Sequence, residues 1–188
     1  MGRWEPGGSD RLREAALELF LERGYEQTTA AEIAQSVGLT ERTFYRHFPD
    51  KKEVLFGGSV EFRATMVDSV LGVPEGLAPL EVVARALASA TEFFPDERRE
   101  WSRKRWQVLS VNPGLMEREL LKMADVAAGI GARLRERGVP EPAATLAAES
   151  GMTVFRVAFD VWLQPGERRS MAEIEGEMFA ALGAVVGV

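Results

Sequence analysis

The chain of 188 residues has no cysteine and a single histidine. Without cysteine there is no disulfide framework, no thiolate zinc site and no thiol nucleophile. One histidine builds no cluster with metal-ligand spacing, and no base–nucleophile pair is legible. No metal, cofactor or catalytic residue is therefore expected. Long apolar runs are missing too. None reaches the ~18 residues that a membrane span needs. The opening MGRWEPGGSD is too polar to read as a secretory signal. Basic charge is also short: 23 Lys and Arg stand against 29 Asp and Glu, a net charge of −6. No segment alternates with period two for long, and no glycine-rich phosphate loop follows a strand. The expectation is a soluble, cytoplasmic, helical protein that is not an enzyme.

What is present is helical periodicity. Apolar residues make up 46% of the chain, ample for a core. Proline and glycine cut the pattern into about nine segments. Spacing predicts helices over 9–23, 30–37, 41–48, 50–70, 80–94, 97–111, 114–137, 142–163 and 171–186. Ser9 or Asp10 caps the first. Asp50 caps the fourth, with Glu53 completing a capping box. An all-α protein in two parts follows: residues 1–56 as a head and 57–188 as a body.

The densest stretch is Thr28 to Lys52, TTAAEIAQSVGLTERTFYRHFPDKK. Thr29 and Glu32 stand at capping-box spacing. Gly38 supplies a tight turn, and Thr40 caps the next helix. Phe44 and Phe48, one turn apart, belong in the core. Glu41, Arg42, Thr43, Tyr45 and Arg46 then face outward, with His47 at the exit. Hydroxyls and an imidazole suit phosphate oxygens, and a guanidinium suits a guanine edge. This is a helix-turn-helix built for a DNA groove. Charge does not carry that reading, because residues 1–56 hold 8 basic and 10 acidic side chains. Lys51 and Lys52 oppose the dipole of the helix predicted to start there, which a nearby phosphate would explain. Arg3, in the opening arm, either frays or reaches a minor groove.

Residues 9–56, above all GLTERTFYRHFPDKKEVLF, resemble the N-terminal domain of TetR-family (tetracycline-repressor-like) transcriptional regulators. The resemblance covers about a quarter of the chain. It implies that Thr43, Tyr45, His47 and Lys51 contact phosphate, that Thr29 makes a contact from the second helix, and that Glu41 and Arg42 face bases. Glu41 departs from the family's frequent basic or amide residue. A carboxylate there repels phosphate and can accept from cytosine N4. The resemblance further implies a homodimeric repressor on double-stranded DNA, with a palindromic operator.

In the body, the segment 142–163 is apolar over most of its circumference, with one polar stripe of Thr145, Glu149, Thr153, Arg156 and Asp160. Such a helix needs cover on more than one side. Segments 142–163 and 170–186 are the expected homodimer interface, with Met171, Ile174, Met178, Ala181, Leu182 and Val185 as the second seam. Aromatic richness marks an effector site with Phe93, Arg105, Trp106, Thr153, Phe155, Arg156, Phe159 and Trp162 as candidates. Arg156 is either the polar anchor for a ligand or the partner of Asp160. The basic run Arg98, Arg99, Arg103, Lys104 and Arg105 is either a solvated, ion-paired face or a seat for an anionic effector. Aromatic richness points to an apolar small-molecule effector, and the resemblance implies an acyl-CoA-like one, as in some family members with an Arg-rich, Asn-Pro-containing middle segment.

Overall fold

The computed structural model describes residues 7–187, so Arg3 lies outside the described residues. Every regular element among them is helical: α1 (Gly8–Arg23), α2 (Ala30–Ser36), α3 (Glu41–His47), α4 (Ser59–Gly72), α5 (Pro79–Ala90), α6 (Arg99–Ser110), α7 (Pro113–Glu136), α8 (Ala143–Trp162) and α9 (Met171–Val186). Short 3-10 turns fill Lys52–Leu55, Thr91–Phe93 and Asp96–Arg98. No described helix is long and apolar enough to cross a membrane.

The chain folds as two compact units. The first holds the chain up to Gly58 together with Arg103–Arg118; the second holds Ser59–Ser102 and the chain from Glu119. In the first unit, α1 buries Leu12, Ala16, Leu17, Leu19 and Phe20, a stripe at helical spacing. Ile33 of α2 and Phe44 of α3 are fully buried with them. The α1 cap differs from expectation. Gly7 stands at the N-cap with φ 96° and no side chain caps the helix. Asp10 instead pairs with Arg13 at 3.0 Å.

The helix expected over 50–70 is broken. Asp50 does accept from the Glu53 backbone N–H (3.0 Å), but only a 3-10 turn follows. The Glu53 carboxylate reaches Arg118 Nε at 3.1 Å rather than closing a capping box. Gly57 and Gly58 then separate that turn from α4. Gly58 has φ 84°, which ends the helical run there, and a Cβ on Gly57 would require the Arg13 guanidinium to move.

The inclusion of residues 103–118 in the first unit was not legible in the sequence. Arg105 is buried, donates from Nε to the Leu55 carbonyl (2.7 Å) and lies 5.1 Å from the Phe56 ring centroid. Arg118 lies over the same ring at 5.2 Å. Two guanidiniums on one aromatic ring, with an ion pair to Glu53, tie this segment to the turn that follows the helix-turn-helix.

In the second unit α5 packs against α4 and α8, and α9 against α8 and α5. A Cβ on Gly151 of α8 would overlap Val83 of α5, so glycine sets how closely these helices approach. Arg137 donates to the carbonyls of Val70, Val73 and Pro74 (3.1, 2.7 and 2.8 Å) and so closes the end of α4. Arg99, buried, bonds Asp96 (2.6 Å) and the carbonyls of Glu167 and Arg169. Within the predicted basic run, Arg99 and Arg105 are therefore internal fasteners and not part of a solvated face.

Candidate DNA-binding face and effector core

The helix-turn-helix is set by local hydrogen bonds that its sequence specifies. Thr29 caps α2: its hydroxyl accepts from Glu32 N (3.2 Å), while the Glu32 carboxylate accepts from Thr29 N and from its hydroxyl (both 2.8 Å). Those bonds hold Glu32 below the usual carboxylate range. Gly38 turns the chain with φ 73°, and Leu39 N returns to the Ala34 carbonyl at 2.8 Å. Thr40 caps α3 through Thr43 N (3.2 Å), and its hydroxyl meets that of Thr43 at 3.0 Å. One proton serves that pair, so one of the two hydroxyls keeps its own to donate elsewhere.

Helix α3 is held by Phe44 and Phe48, whose ring centroids are 5.4 Å apart. Phe44 is fully buried. The opposite face carries Glu41, Arg42, Tyr45 and Arg46, all exposed, with Thr43 and His47 half-buried. Among the described residues, Glu41, Arg42 and Arg46 have no ion-pair or hydrogen-bond partner. The Tyr45 ring rests edge-on against Phe44 at 5.5 Å. A ring packed at one end and exposed at the other presents its hydroxyl in a defined place. His47 lies beside the uncapped first turn of α1, its Nε2 3.5 Å from where a Cβ on Gly8 would stand.

Two of the expected DNA contacts are already engaged within the protein: Thr29, exposed at the start of α2, and Lys51, half-buried after α3. The Thr29 hydroxyl spends its proton on Glu32. Lys51 donates from Nζ to the carbonyls of Tyr25 (2.7 Å) and Thr28 (3.0 Å) and sits 4.0 Å over the Tyr25 ring. Burial, then Asp50 and Glu26, push the Tyr25 phenol up to about 12, so it stays neutral beside the ammonium. The Tyr25 ring packs edge-on to Phe20 at 5.1 Å. This ring and the carbonyls around it form the lysine's seat, which sequence spacing does not show, because nothing in it links residue 25 to residue 51.

The second unit brings Phe93, Phe155, Phe159 and Trp162 into one packed cluster with Phe62 and Phe94. Phe62 meets Phe93 and Phe155 at 5.6 and 5.8 Å; Phe94 meets Phe155, Phe159 and Trp162 at 5.6, 5.5 and 5.8 Å. Phe62–Phe93, Phe94–Phe159 and Phe94–Trp162 meet edge-to-face, while Phe155 lies tilted against Phe62 and Phe94. Thr153 and Arg156 are not part of this cluster. Both are exposed, and Arg156 pairs with Asp160 at 3.6 Å. The ion-pair alternative for Arg156 is the one realised, because the polar stripe of α8 turns outward. Arg105 and Trp106 belong to the first unit, where Arg105 is engaged with Leu55 and Phe56. On α9, Met171 and Ile174 are buried within the chain, whereas Ala172, Gly176, Ala180, Ala184 and Val185 are exposed. Of the expected seam, Ala181 and Val185 are exposed and Met178 and Leu182 half-buried, and the exposed side also carries Glu173 and Glu177. Glu175 was not singled out in the sequence. It is buried, one carboxylate oxygen has no hydrogen-bond partner, and burial pushes it up to about 7. Its signal was its place one turn after Met171 and next to Ile174.

Comparison with known proteins bears on both units. Residues 12–57 match the bacterial regulatory proteins of the tetR family, and residues 77–187 match the MftR C-terminal domain. The chain belongs to the TetR family. The TetR-like features of the first unit and the helical body are therefore those of a DNA-binding transcriptional regulator, and the family is one of regulators rather than enzymes. TcmR of Streptomyces glaucescens, an HTH-type transcriptional regulator, is 39% identical over 77 residues, 41% of this chain and 34% of that protein. This TetR-family chain thus matches only about a third of TcmR's length. Mycobacterium tuberculosis MftR, named as a putative mycofactocin biosynthesis transcriptional regulator, is 24% identical over 187 residues, 98% of this chain and 93% of MftR. Thermus thermophilus FadR, a TetR-family transcriptional repressor solved with lauroyl-CoA, superposes with a TM-score of 0.50 at 26% identity, covering 92% of FadR and 93% of this chain.

Proposed function

We propose that this chain is a homodimeric repressor that binds a palindromic operator and is released by a small molecule. The observation that carries the reading is α3. Two buried phenylalanines fix its inner face while Glu41, Arg42, Tyr45 and Arg46 stand outward without competing partners. Arg42 and Glu41, at the start of the helix, read base edges. Tyr45, His47 and the free hydroxyl of the Thr40–Thr43 pair meet phosphates. Arg46 adds positive charge beside them. Thr29 contributes as the cap that aims α2, through its bonds to Glu32.

The dimer forms through α8 and α9. Support comes from the open face of α9, where Ala172, Gly176, Ala180 and Ala184 allow close approach of a second helix, and from Leu146, exposed on α8. Two-fold symmetry then places recognition helices in half-sites whose centres are ~34–36 Å apart. The effector is an apolar or acyl-CoA-like molecule that opens the aromatic cluster around Phe94 and Phe155. It acts by preferring a conformer with mismatched heads, at a coupling of ~1–3 kcal/mol. FadR with its lauroyl-CoA supports that ligand class. A regulator acting on such an operator works in the cytoplasm.

Selection of duplexes from random DNA by the full-length protein tests this reading. An enriched inverted repeat is the expected result. Absence of any enriched palindrome would overturn it in favour of a helical module whose helix-turn-helix binds protein.

A further inference from the structure

We infer that Lys51 is a positioning residue for DNA binding: it ties the turn that launches α2 to the segment that leaves α3, and so sets the angle between the two helices. This rests on the operator reading above. The Val37–Thr40 turn joins the end of α2 to the start of α3. Lys51 follows the end of α3 and bonds residues just before the start of α2. The two helices are therefore tied at both open and closed ends.

The tie is made of three contacts on one ammonium. Nζ donates to Tyr25 O at 2.7 Å and to Thr28 O at 3.0 Å, and it lies 4.0 Å above the Tyr25 ring. Charge-assisted bonds to carbonyls and a cation on a ring face are each stronger than neutral contacts. The receiving turn is itself rigid. Thr28 is buried and donates to Gly24 O at 2.9 Å, and the Tyr25 ring packs edge-on to Phe20 at 5.1 Å. Two of the three ammonium protons are engaged within the protein. Through those bonds the lysine holds the cap residue Thr29 in register with α3.

The two roles predict different salt dependence. Removing a phosphate contact lowers the slope of log K against log salt by about 1, because one fewer counterion is released. Removing an internal tie leaves the counterion count unchanged.

The test uses full-length protein and its selected operator duplex, titrated at several salt concentrations. Temperature is kept where circular dichroism shows each variant folded. Lys51→Met and Tyr25→Leu are each expected to weaken binding about tenfold or more, the scale of one lost contact. The salt slope should stay at the wild-type value. The double variant should be no weaker than the weaker single, since both remove one tie. Lys51→Arg should retain most of the affinity, as it offers two donors to the same carbonyls. Should Lys51→Met not fold, Tyr25→Leu and Lys51→Arg carry the same comparison. A slope reduced by about 1 in Lys51→Met, with Tyr25→Leu binding normally, would overturn the inference and place Lys51 on phosphate. Unchanged affinity of folded Lys51→Met, with only a lower Tm, would overturn it too. Wild-type protein that selects no operator removes the operator reading itself, and the inference with it.

Discussion

At the scale of single residues, the exposed face of α3 separates base reading from anchoring. Arg42, exposed and unpaired, is expected to carry preference at one base pair. Arg42→Ala should relax that position at a cost of ~1–3 kcal/mol, seen by repeating the duplex selection. Uniform weakening would place Arg42 on phosphate. Tyr45→Phe removes only a hydroxyl from a ring held by Phe44, so it should weaken all sequences alike and leave the selected site unchanged. Glu175 gives a residue-scale prediction in the body. Burial raises its carboxyl to about 7, so between roughly pH 4.5 and 7 the folded state holds a proton that the unfolded state has lost. Stability contributed by this group is full below the unfolded value and is lost as pH rises through about 7. Urea unfolding should show up to roughly 3 kcal/mol less stability at pH 8 than at pH 5 from this group, and Glu175→Gln should flatten that slope. Carboxylates held low, such as Glu32 and Glu173, act in the opposite sense and only at more acid pH. A wild-type slope that survives Glu175→Gln would assign the effect elsewhere.

At the scale of elements, the first unit depends on a segment far along the chain. Residues 103–118, most of α6 and the start of α7, supply Arg105 and Arg118 to Phe56. Arg105→Met keeps the bulk but leaves the Leu55 carbonyl without its buried donor. The expected loss is roughly 1–3 kcal/mol of stability, read from chemical denaturation. Faster hydrogen exchange over residues 52–58 should accompany it. Gly151 is an element-scale spacer in the same sense. Gly151→Val forces a side chain into Val83 of α5, and overpacking of this kind costs ~1–3 kcal/mol. The break between the 3-10 turn at Lys52–Leu55 and α4 shows why spacing misled here. The capping residue and the apolar period both read as one long helix. The close approach of Arg13 to Gly57 is tertiary and left no periodic trace.

For the whole molecule, one copy of a slightly acidic head should bind weakly, and pairing two copies supplies the affinity. Ala180→Glu places a further charge among the small exposed residues Gly176, Ala180 and Ala184 of α9. Sedimentation should then show a monomer, and operator binding should fall below detection at concentrations that saturate the wild type. A variant that remained dimeric would place the interface elsewhere. The all-helical class, the helix-turn-helix and its caps at Thr29 and Thr40 were legible in the sequence, because each rests on neighbours three or four residues apart. So was the grouping of Phe155, Phe159 and Trp162, which share one helix. Whether Arg156 faced the core, what Lys51 held, and which unit Arg105 served were decided only by tertiary structure. Those outcomes depend on where a long flexible cation finds a carbonyl, a ring or a carboxylate from a distant part of the chain. Local periodicity places a side chain on a helix face, but the partner waiting there is chosen by the packing of the whole fold.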